Sequence, residues 1–510
     1  MLSWTIYVSF LGALLVGLWP GRGAAGVRWV ALLAAAAGAV LSGVGLWEVT
    51  RAGGALQLLA DVAWVPELGI RYRLGADGLS AVLAVLTGVA AVAGVLFSWN
   101  IETRVREFFA LFLWLVGAVY GVFLSFDLFL FFVFYELAIV PKYFLIAIWG
   151  STRREYGAMK LVLYSFVGSA MVLVALLAAY VASGAHSFGW GEMVGASVPR
   201  SVQMWGFPVM FLGFAILAGL WPWHTWAPTG HVAAPTAASM LLAGVVMKLG
   251  AYGCLRVAMP LFGEGLWPWR SEWWGLGSWP EVFAVLAVVG IVWGALVALV
   301  QQDFKFVIGY SSVSHMGFVL LGLMTLTGAG WQGAVLQMVS HGLIAGLLFA
   351  VVGRMVYDRA HTRDLRELER MGLGRALPFA AGTFVLAGAA SAGMPGFSGF
   401  MAEVHVLLGA WQSHPVLAVV TGAGVLLGAA YIWRAMQRAF FGGGSVEPAG
   451  AGAAPAAVAV APVTWAERAG AVLLLGGVVL LGVWPRLVLD VVAPVLTGEV
   501  YGRLLRGAWW

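Results

Sequence analysis

Long uncharged stretches recur along this chain and constrain its fold more than any other feature. Residues 241–253, LLAGVVMKLGAYG, are typical, since Lys248 is the one charged residue in a run of apolar and small residues. About 20 such residues can cross a bilayer as a helix, and at least a dozen uncharged or nearly uncharged stretches of that length occur. Only 10% of the 510 residues are charged, against roughly 25% in soluble domains. The sequence therefore predicts an integral membrane protein.

The residues in these stretches favour helices over a β-barrel, because Gly, Ala and Leu are frequent and apolar and polar residues do not alternate regularly. We predict an all-α polytopic membrane protein with about 14 transmembrane helices. Pro and Gly interrupt the seventh and twelfth of these helices, in LWPWHTWAPTGH (220–231) and AGMPGFSGF (392–400). Broken helices at corresponding places indicate two inverted-topology five-helix repeats of the transporter type. Two Pro-kinked packing helices are the alternative.

The predicted spans divide the chain into five segments. Loops after odd-numbered spans hold seventeen Lys or Arg residues. Loops after even-numbered spans and the two termini together hold nine. By the positive-inside rule, both termini are expected outside. The segments are 1–106 with helices 1–3, 107–257 with the first repeat (helices 4–8), 258–441 with the second repeat (helices 9–13), 442–464 as a low-complexity cytoplasmic loop, and 465–510 with helix 14 and the tail.

Cysteine usage and motifs exclude several classes of chemistry. Cys254 is the only cysteine, which excludes a disulfide framework and a cysteine-ligated iron–sulfur cluster. CxxCH, GxxxxGK[ST] and HExxH motifs do not occur in the sequence, so we expect no redox cofactor, ATP site or zinc site in this chain. Any redox chemistry is expected on another subunit. The expected partners are the lipid bilayer and other membrane subunits, and no nucleic acid.

Ionisable residues near the middle of predicted spans are the strongest indication of function. A charged side chain in hydrocarbon is unfavourable by about 2.5 kcal/mol or more. Such residues either take part in transport or are neutral and hydrogen-bonded to a neighbouring helix. A row of carboxyl, amine and imidazole groups suits proton transfer, and it suits a metal ion poorly because the carboxylates do not cluster. The residues predicted to form this proton path are Glu136, Lys248, His341 and Glu403.

Five further ionisable residues lie nearer the ends of predicted spans. Lys142 follows Glu136 by six residues, and its long side chain is expected to extend the ammonium group to the lipid headgroups. The other four are interpreted either as an access path to the proton path or as interfacial residues: His224, His231, Lys305 and His315.

Several stretches that carry these residues resemble one known family. It is the subunit M family of NADH–quinone oxidoreductase (respiratory complex I), among the antiporter-like membrane subunits. The resemblance extends from about residue 65 to about residue 490. The matching stretches are DLFLFFVFYELAIVPKYFLIAIWG, PWHTWAPTGHVAAPTAASMLLAGVVMKLGAYGCLR, QQDFKFVIGYSSVSHMGFVLLG, LQMVSHGLIAGLLFAVVGRMVYDRAHTRDL and AGMPGFSGFMAEVHVLLGAW.

The resemblance implies a proton-translocating subunit of a membrane arm that carries no cofactor and works with other membrane-arm subunits. Quinone reduction elsewhere in the complex would drive the proton movement. The resemblance also implies roles for the four central residues. Glu136 matches the family's fifth-helix glutamate, Lys248 its eighth-helix lysine, His341 its eleventh-helix histidine and Glu403 its twelfth-helix glutamate.

One position departs from the family in a way that affects coupling. The family has a seventh-helix lysine that pairs with the fifth-helix glutamate, and Leu217 occupies that position here. Thr229 and Ala233 likewise replace acidic residues. Lys142 is an alternative partner for Glu136, but in an ideal α-helix it would lie well off the face of Glu136.

The departure at Leu217 leaves three functions open. The first is a proton pump module in a complex I-type assembly. The second is a divergent structural paralogue that fills the membrane arm without pumping. The third is a subunit of a multisubunit cation/proton antiporter or of a membrane-bound hydrogenase.

Overall fold

The computed structural model describes residues 1–21, 23–266, 277–442 and 460–506. Twelve helical stretches in these ranges are long and apolar enough to cross a membrane, and Ser3–Gly17 and Pro378–Ser391 are shorter apolar helices. The predicted multi-pass helical membrane protein is therefore confirmed. Most of the predicted low-complexity loop, residues 443–459, lies outside the described residues.

Along the chain, one group of helices precedes a bend at Ala234 and Pro235 and a second group follows it. The first group comprises α1 (Ser3–Gly17), α2 (Ala24–Arg51), α3 (Gly78–Phe97), α4 (Val105–Leu124), α5 (Leu128–Trp149, interrupted at Ala138), α6 (Arg154–Ser183), α7 (Arg200–Ala218) and α8 (Trp226–Ala233). The second group comprises α9 (Thr236–Leu261), α10 (Trp279–Val300), α11 (Phe304–Met324), α12 (Gly328–Ala360), α13 (Pro378–Ser391), α14 (Ser398–Ser413), α15 (Pro415–Phe440), α16 (Trp465–Val483), α17 (Arg486–Thr497) and α18 (Glu499–Arg506). Short helical segments lie at Pro66–Leu68, Trp190–Gly195, Trp223–Thr225, Gly263–Leu266, Leu365–Met371 and Leu373–Ala376.

Aspartate side chains define where several of the membrane helices begin. Asp77 accepts a hydrogen bond from the Ser80 amide at 3.0 Å at the start of α3. Asp303 does the same for the Lys305 amide at 2.8 Å at the start of α11. Each carboxylate satisfies an amide that has no partner within its helix. The helix starts are therefore set by single residues.

The centre of the bundle is formed by α9 and α12. The most apolar 18-residue window of each is entirely buried, whereas the corresponding windows of α2 and α15 are 28% and 33% buried. The outer helices thus present apolar surface to lipid, while α9 and α12 are enclosed by protein. Lys248 and His341 lie on these two enclosed helices.

Two strands, which the sequence analysis did not predict, lie between α2 and α3. Strand β1 (Gln57–Val65) pairs antiparallel with strand β2 (Ile70–Ala76). The sequence signal is present, because IRYRL in β2 alternates apolar or aromatic residues with arginine, as a strand with one buried face requires. At seven residues, β2 is shorter than the apolar stretches from which the membrane helices are predicted.

Glycines in the left-handed conformation occur at both of the sites where a broken helix is predicted. Helix α7 ends before Gly219, whose φ is +89°. Between α13 and α14, Gly393 and Gly396 have φ of +71° and +94°. Residues other than glycine adopt these values at a cost. The total of fourteen spans, the two inverted repeats and the five-segment division stay predictions.

Candidate functional site

Lys248 lies in the most enclosed part of the bundle and has two polar neighbours. Its side chain is 0% exposed. The Nζ atom donates a hydrogen bond to the carbonyl of Ala243 and lies 2.7 Å from Nδ1 of His341. A π-helical segment, Leu242–Val246, precedes Lys248. The Ala243 carbonyl that accepts from the Lys248 side chain lies within this segment.

His341, on α12, connects Lys248 on α9 to His315 on α11. When Lys248 is protonated, Nδ1 of His341 accepts its hydrogen bond, and the imidazole hydrogen is then on Nε2. Among the described residues, Nε2 is buried without a hydrogen-bond partner. The ring of His341 stacks on that of His315, with centroids 5.5 Å apart and planes 23° apart. Two imidazoles thus lie side by side in the core.

His315 occupies the centre of a polar cluster formed by four helices. The Gln337 amide donates to Nδ1 at 3.1 Å, so the ring hydrogen is on Nε2, 3.2 Å from the Ser391 hydroxyl. The Glu403 carboxylate lies 3.7 Å from Nδ1. This separation is too long for a direct hydrogen bond. His315 and Glu403 are therefore neighbouring titratable groups that need a side-chain movement or a water molecule to exchange a proton.

Glu403 is held against the break between α13 and α14. It is 5% exposed. A Cβ atom added at Gly393 would lie 2.4 Å from Oε2 of Glu403, which is far inside van der Waals contact. Glycine is required at this position both for its positive φ and for the room it leaves. The predicted interruption at AGMPGFSGF thus creates the space for this carboxyl group.

The structure thus places four titratable side chains in a line, which we call the central line: Lys248, His341, His315 and Glu403. Three of them were predicted as part of the proton path. His315 was predicted near the end of a span, and this prediction is wrong. It lies in the middle of α11 and is 7% exposed.

A polar route leads from the central line towards one surface of the protein. Lys305 donates to the carbonyls of Ala234 and Val232 at 2.6 and 3.3 Å. His231 is completely buried and interacts electrostatically with both Lys248 and Lys305. In the described ranges, neither of its ring nitrogens has a hydrogen-bond partner. His231 is therefore positioned between the central line and Lys305.

A cavity of about 160 Å³ lies at the end of this route. Lys305 lines it together with Arg354 and Asp358. The side chain of Asp358 is 30% exposed, so the cavity adjoins solvent. By contrast, the structure does not bring His224 to the central line. Its ring contacts that of Tyr310, with centroids 6.3 Å apart.

The predicted site at Glu136 is separate from the central line. Glu136 is half-buried and lines a groove on the surface of the protein together with Phe129 and Val140. Its Oε1 atom is buried and has no hydrogen-bond partner among the described residues. The one charged group that interacts with its carboxylate is Lys142, as far as the described chain shows.

The prediction that Lys142 extends to the headgroups is wrong. The side chain is 1% exposed, and Nζ itself is buried without a hydrogen-bond partner in the described ranges. Helix α5 is interrupted at Ala138. Pro141 contributes to this interruption because it cannot donate to the carbonyl of Leu137. Lys142 lies four residues after this interruption and is enclosed by protein.

The residues that replace the family's charged positions on α7 and α8 make ordinary contacts. Leu217 is 2% exposed and is part of the apolar core. The Thr229 hydroxyl accepts a 3.5 Å hydrogen bond from Lys160, and the carbonyl of Ala233 accepts one from the Ser151 amide at 2.8 Å.

The sequence analysis did not identify some of the polar residues in the core. Gln337 precedes His341 by four residues and so lies on the same face of α12, a signal that was available. The ion pair of Arg256 with Asp77 is 2.6 Å long, with both side chains at most 5% exposed. These two residues are 179 positions apart, so their pairing had no local signal.

The chain is similar to known proteins along almost its whole length. The family model for the transmembrane region of NADH:quinone oxidoreductases and Mrp antiporters matches residues 125–428. NADH-quinone oxidoreductase subunit M of Rhodobacter capsulatus is 36% identical over 483 residues, covering 92% of this chain and 89% of that protein. Subunit M of Escherichia coli K12 is 37% identical over 462 residues, covering 87% of each chain.

Solved structures show the same fold. A chain of respiratory complex I from Thermus thermophilus with bound NADH superimposes with a TM-score of 0.85 at 28% identity, covering 99% of this chain and all of that one. A chain of the Mrp complex from Dietzia sp. DQ12-45-1b gives a TM-score of 0.83 at 19% identity, covering 99% of this chain and 97% of that chain. The second likeness concerns the fold alone.

Proposed function

Because this chain belongs to the family of membrane subunits shared by NADH:quinone oxidoreductases and Mrp antiporters, we propose that it translocates protons in the membrane arm of a complex I-type NADH–quinone oxidoreductase. The observation that supports this best is the central line of buried titratable side chains from Lys248 to Glu403. Electron transfer takes place on other subunits, and this chain binds no redox cofactor. Its partners are the neighbouring membrane-arm subunits and lipid.

Proton transfer along the central line begins with its shortest contact. The Lys248 ammonium releases a proton to Nδ1 of His341 across 2.7 Å, so that an N–H bond breaks on the amine and another forms on the imidazole. The imidazolium then holds a second proton on Nε2, which it can release on the other side of the ring. His341 thereby passes charge on without moving its backbone.

The next two steps are not connected by hydrogen bonds. His341 and His315 are stacked, so a water molecule or a change of ring orientation has to carry the proton between them. The 3.7 Å separation of His315 and Glu403 exceeds a hydrogen-bond distance. A continuous wire would let protons leak back across the membrane. These two gaps are the places where rearrangement in the complex controls transfer.

The side of proton uptake follows from the cavity at Lys305. The cavity adjoins the C-terminal end of α12, where Arg354 lies. This end leads into the arginine-rich segment 354–375, which the positive-inside rule places in the cytoplasm. We infer that protons enter from the cytoplasm through the cavity and reach Lys248 by way of Lys305 and His231.

With segment 354–375 in the cytoplasm, the orientation of the rest of the chain in the membrane follows. The protein is a multi-pass protein of the bacterial inner (plasma) membrane, with both termini outside. The proposed repeats, 107–257 and 258–441, divide the central line, since Lys248 belongs to the first and the other three residues to the second. Proton transfer between Lys248 and His341 is then transfer between repeats.

The test is proton uptake by inverted membrane vesicles that contain the whole complex and oxidise NADH. Lys248→Ala is expected to lower the number of protons taken up per electron while the complex still assembles, because the first donor of the central line is lost. Lys160→Ala is the matched control, since Lys160 lies in α6 and bonds to Thr229 rather than to the line. Unchanged uptake in Lys248→Ala would contradict the proposal and would support a structural role in the membrane arm.

A further inference from the structure

Lys142 is a buried amine that the central line does not use. Its Nζ atom is enclosed, and within the described part of the chain no hydrogen-bond acceptor contacts it. Transferring an ammonium group into such surroundings is unfavourable by several kcal/mol unless an opposite charge or water compensates. A lysine placed only for packing would be replaced by an apolar residue at no loss. An ammonium group at Lys142 therefore needs a charged partner or water, and without either the side chain would release its proton.

Glu136 is the charged partner that the structure supplies. The carboxylate of Glu136 and the ammonium of Lys142 interact electrostatically, and Oε1 of Glu136 is likewise buried without a hydrogen-bond partner among the described residues. Besides a hydrogen bond between the Glu136 carboxylate and Ser169, the charge of Lys142 is the interaction that favours the ionised carboxylate. In an unbroken α-helix, residues six positions apart lie about 240° apart around the axis. A one-residue interruption of α5, at Ala138, lies between the two residues.

Helices α7 and α8 provide no cation for Glu136 beyond Arg200, where α7 begins. Lysine and arginine are absent between Arg200 and Lys248, and Leu217 in α7 is a buried apolar side chain. Lysine at position 142 rather than arginine also matters, because a desolvated lysine can release its proton, whereas arginine stays protonated. The chain uses arginine at all but four of its 28 basic positions.

We propose that Lys142 is the proton-exchanging partner of Glu136, so that the two side chains form a second titratable site at the edge of the subunit. The inference rests on the proposed function, since it gives this site a part in proton translocation. Glu136 lines a surface groove, whereas Lys142 is enclosed by protein. A proton arriving on Glu136 removes the charge that holds Lys142 protonated, and Lys142 then releases its own proton to a water molecule.

The test combines proton uptake with the protonation state of Glu136 in the whole purified complex. Infrared difference spectra identify the Glu136 band by its loss in Glu136→Gln. In Lys142→Met, we expect the carboxylate band to be replaced by a protonated carboxyl band and proton uptake per electron to fall. In Lys142→Arg, we expect the carboxylate band to remain and uptake still to fall, because the guanidinium keeps its proton. Lys160→Met controls for the loss of a lysine elsewhere.

Two results would overturn the inference. One is an unchanged Glu136 carboxylate band in Lys142→Met, which would show that the two groups are not coupled. The other is wild-type proton uptake in Lys142→Arg, which would make Lys142 a fixed charge. If Lys142→Met fails to assemble, the Lys142→Arg complex still decides the proton-exchange step. Failure of the proposed function is seen separately, as unchanged uptake in Lys248→Ala.

Discussion

At the scale of single residues, the distribution of lysine is the most informative feature. Three of the four lysines are at most 3% exposed: Lys142, Lys248 and Lys305. Buried lysine is unfavourable unless the protein uses its ability to exchange a proton. The lysine in LLAGVVMKLGAYG is explained by its contact with His341, which gives the proton a place to go.

The glycine beside Glu403 gives a residue-scale prediction. Gly393→Ala should destabilise the break between α13 and α14 by roughly 1–2 kcal/mol, because a side chain is strained at positive φ. The added Cβ would lie 2.4 Å from the present position of Glu403 Oε2. It should therefore also displace the Glu403 carboxyl group. We expect a lower midpoint for the thermal dissociation of the purified complex and fewer protons taken up per electron.

The matched control for this substitution is Gly382→Ala in α13. Gly382 is exposed, lies within the helix, and would bring its Cβ within 4 Å of no other atom described. Alanine is favoured over glycine in a helix, so this variant should be at least as stable as the wild type. Equal midpoints for the two variants would contradict the role given to Gly393.

At the scale of elements, the sequence predicts features that depend on local composition, such as the membrane helices. It does not predict the irregular segments within helices or the short strands between them. The membrane helices follow from apolar length alone. The burial of Lys142 was not predictable because it depends on neighbouring parts of the fold that the sequence does not place. The strands β1 and β2 were missed because they are short and lie between spans. The π-helical segment Leu242–Val246, before Lys248, likewise has no identifiable pattern in the sequence.

The ion pairs of the hairpin give an element-scale prediction of pH dependence. The hydrogen bond from Arg71, assisted by Arg73, lowers the pKa of the Asp61 carboxyl below its usual range. A group whose pKa is lowered in the folded state stabilises it above the unfolded pKa of about 3.9, and this contribution is lost as pH falls towards the folded pKa. Protection of residues 57–76 from amide exchange, corrected for intrinsic exchange rates, should therefore decline below about pH 4.

Asp61→Asn tests this assignment. The variant should show reduced protection at neutral pH and little further decline on acidification, because the titrating partner of Arg71 has been removed. Glu67→Gln is the control, since Glu67 is an exposed residue in the turn of the same hairpin. An Asp61→Asn variant with the same decline as the wild type would show that another group controls the hairpin.

At the scale of the whole molecule, function depends on residues that the fold brings together from distant parts of the chain. Lys248 and His341 are 93 positions apart, and their contact requires the packing of α9 against α12. The sequence identified Lys248, His341 and Glu403 as ionisable groups in apolar surroundings, but it could not order them. His315, which joins His341 to Glu403, was assigned to a different place because its neighbours on α12, α13 and α14 are unknown from sequence.

The most direct test of the central line is to interrupt it at this link. Proton uptake per electron would be measured in inverted vesicles for complexes carrying His315→Gln or His224→Gln. Glutamine retains hydrogen bonding but cannot carry a proton as imidazolium. We expect His315→Gln to lower proton uptake while NADH oxidation continues, and His224→Gln, which is off the line, to behave as the wild type. Wild-type proton uptake in His315→Gln would contradict the claim that protons pass through this line.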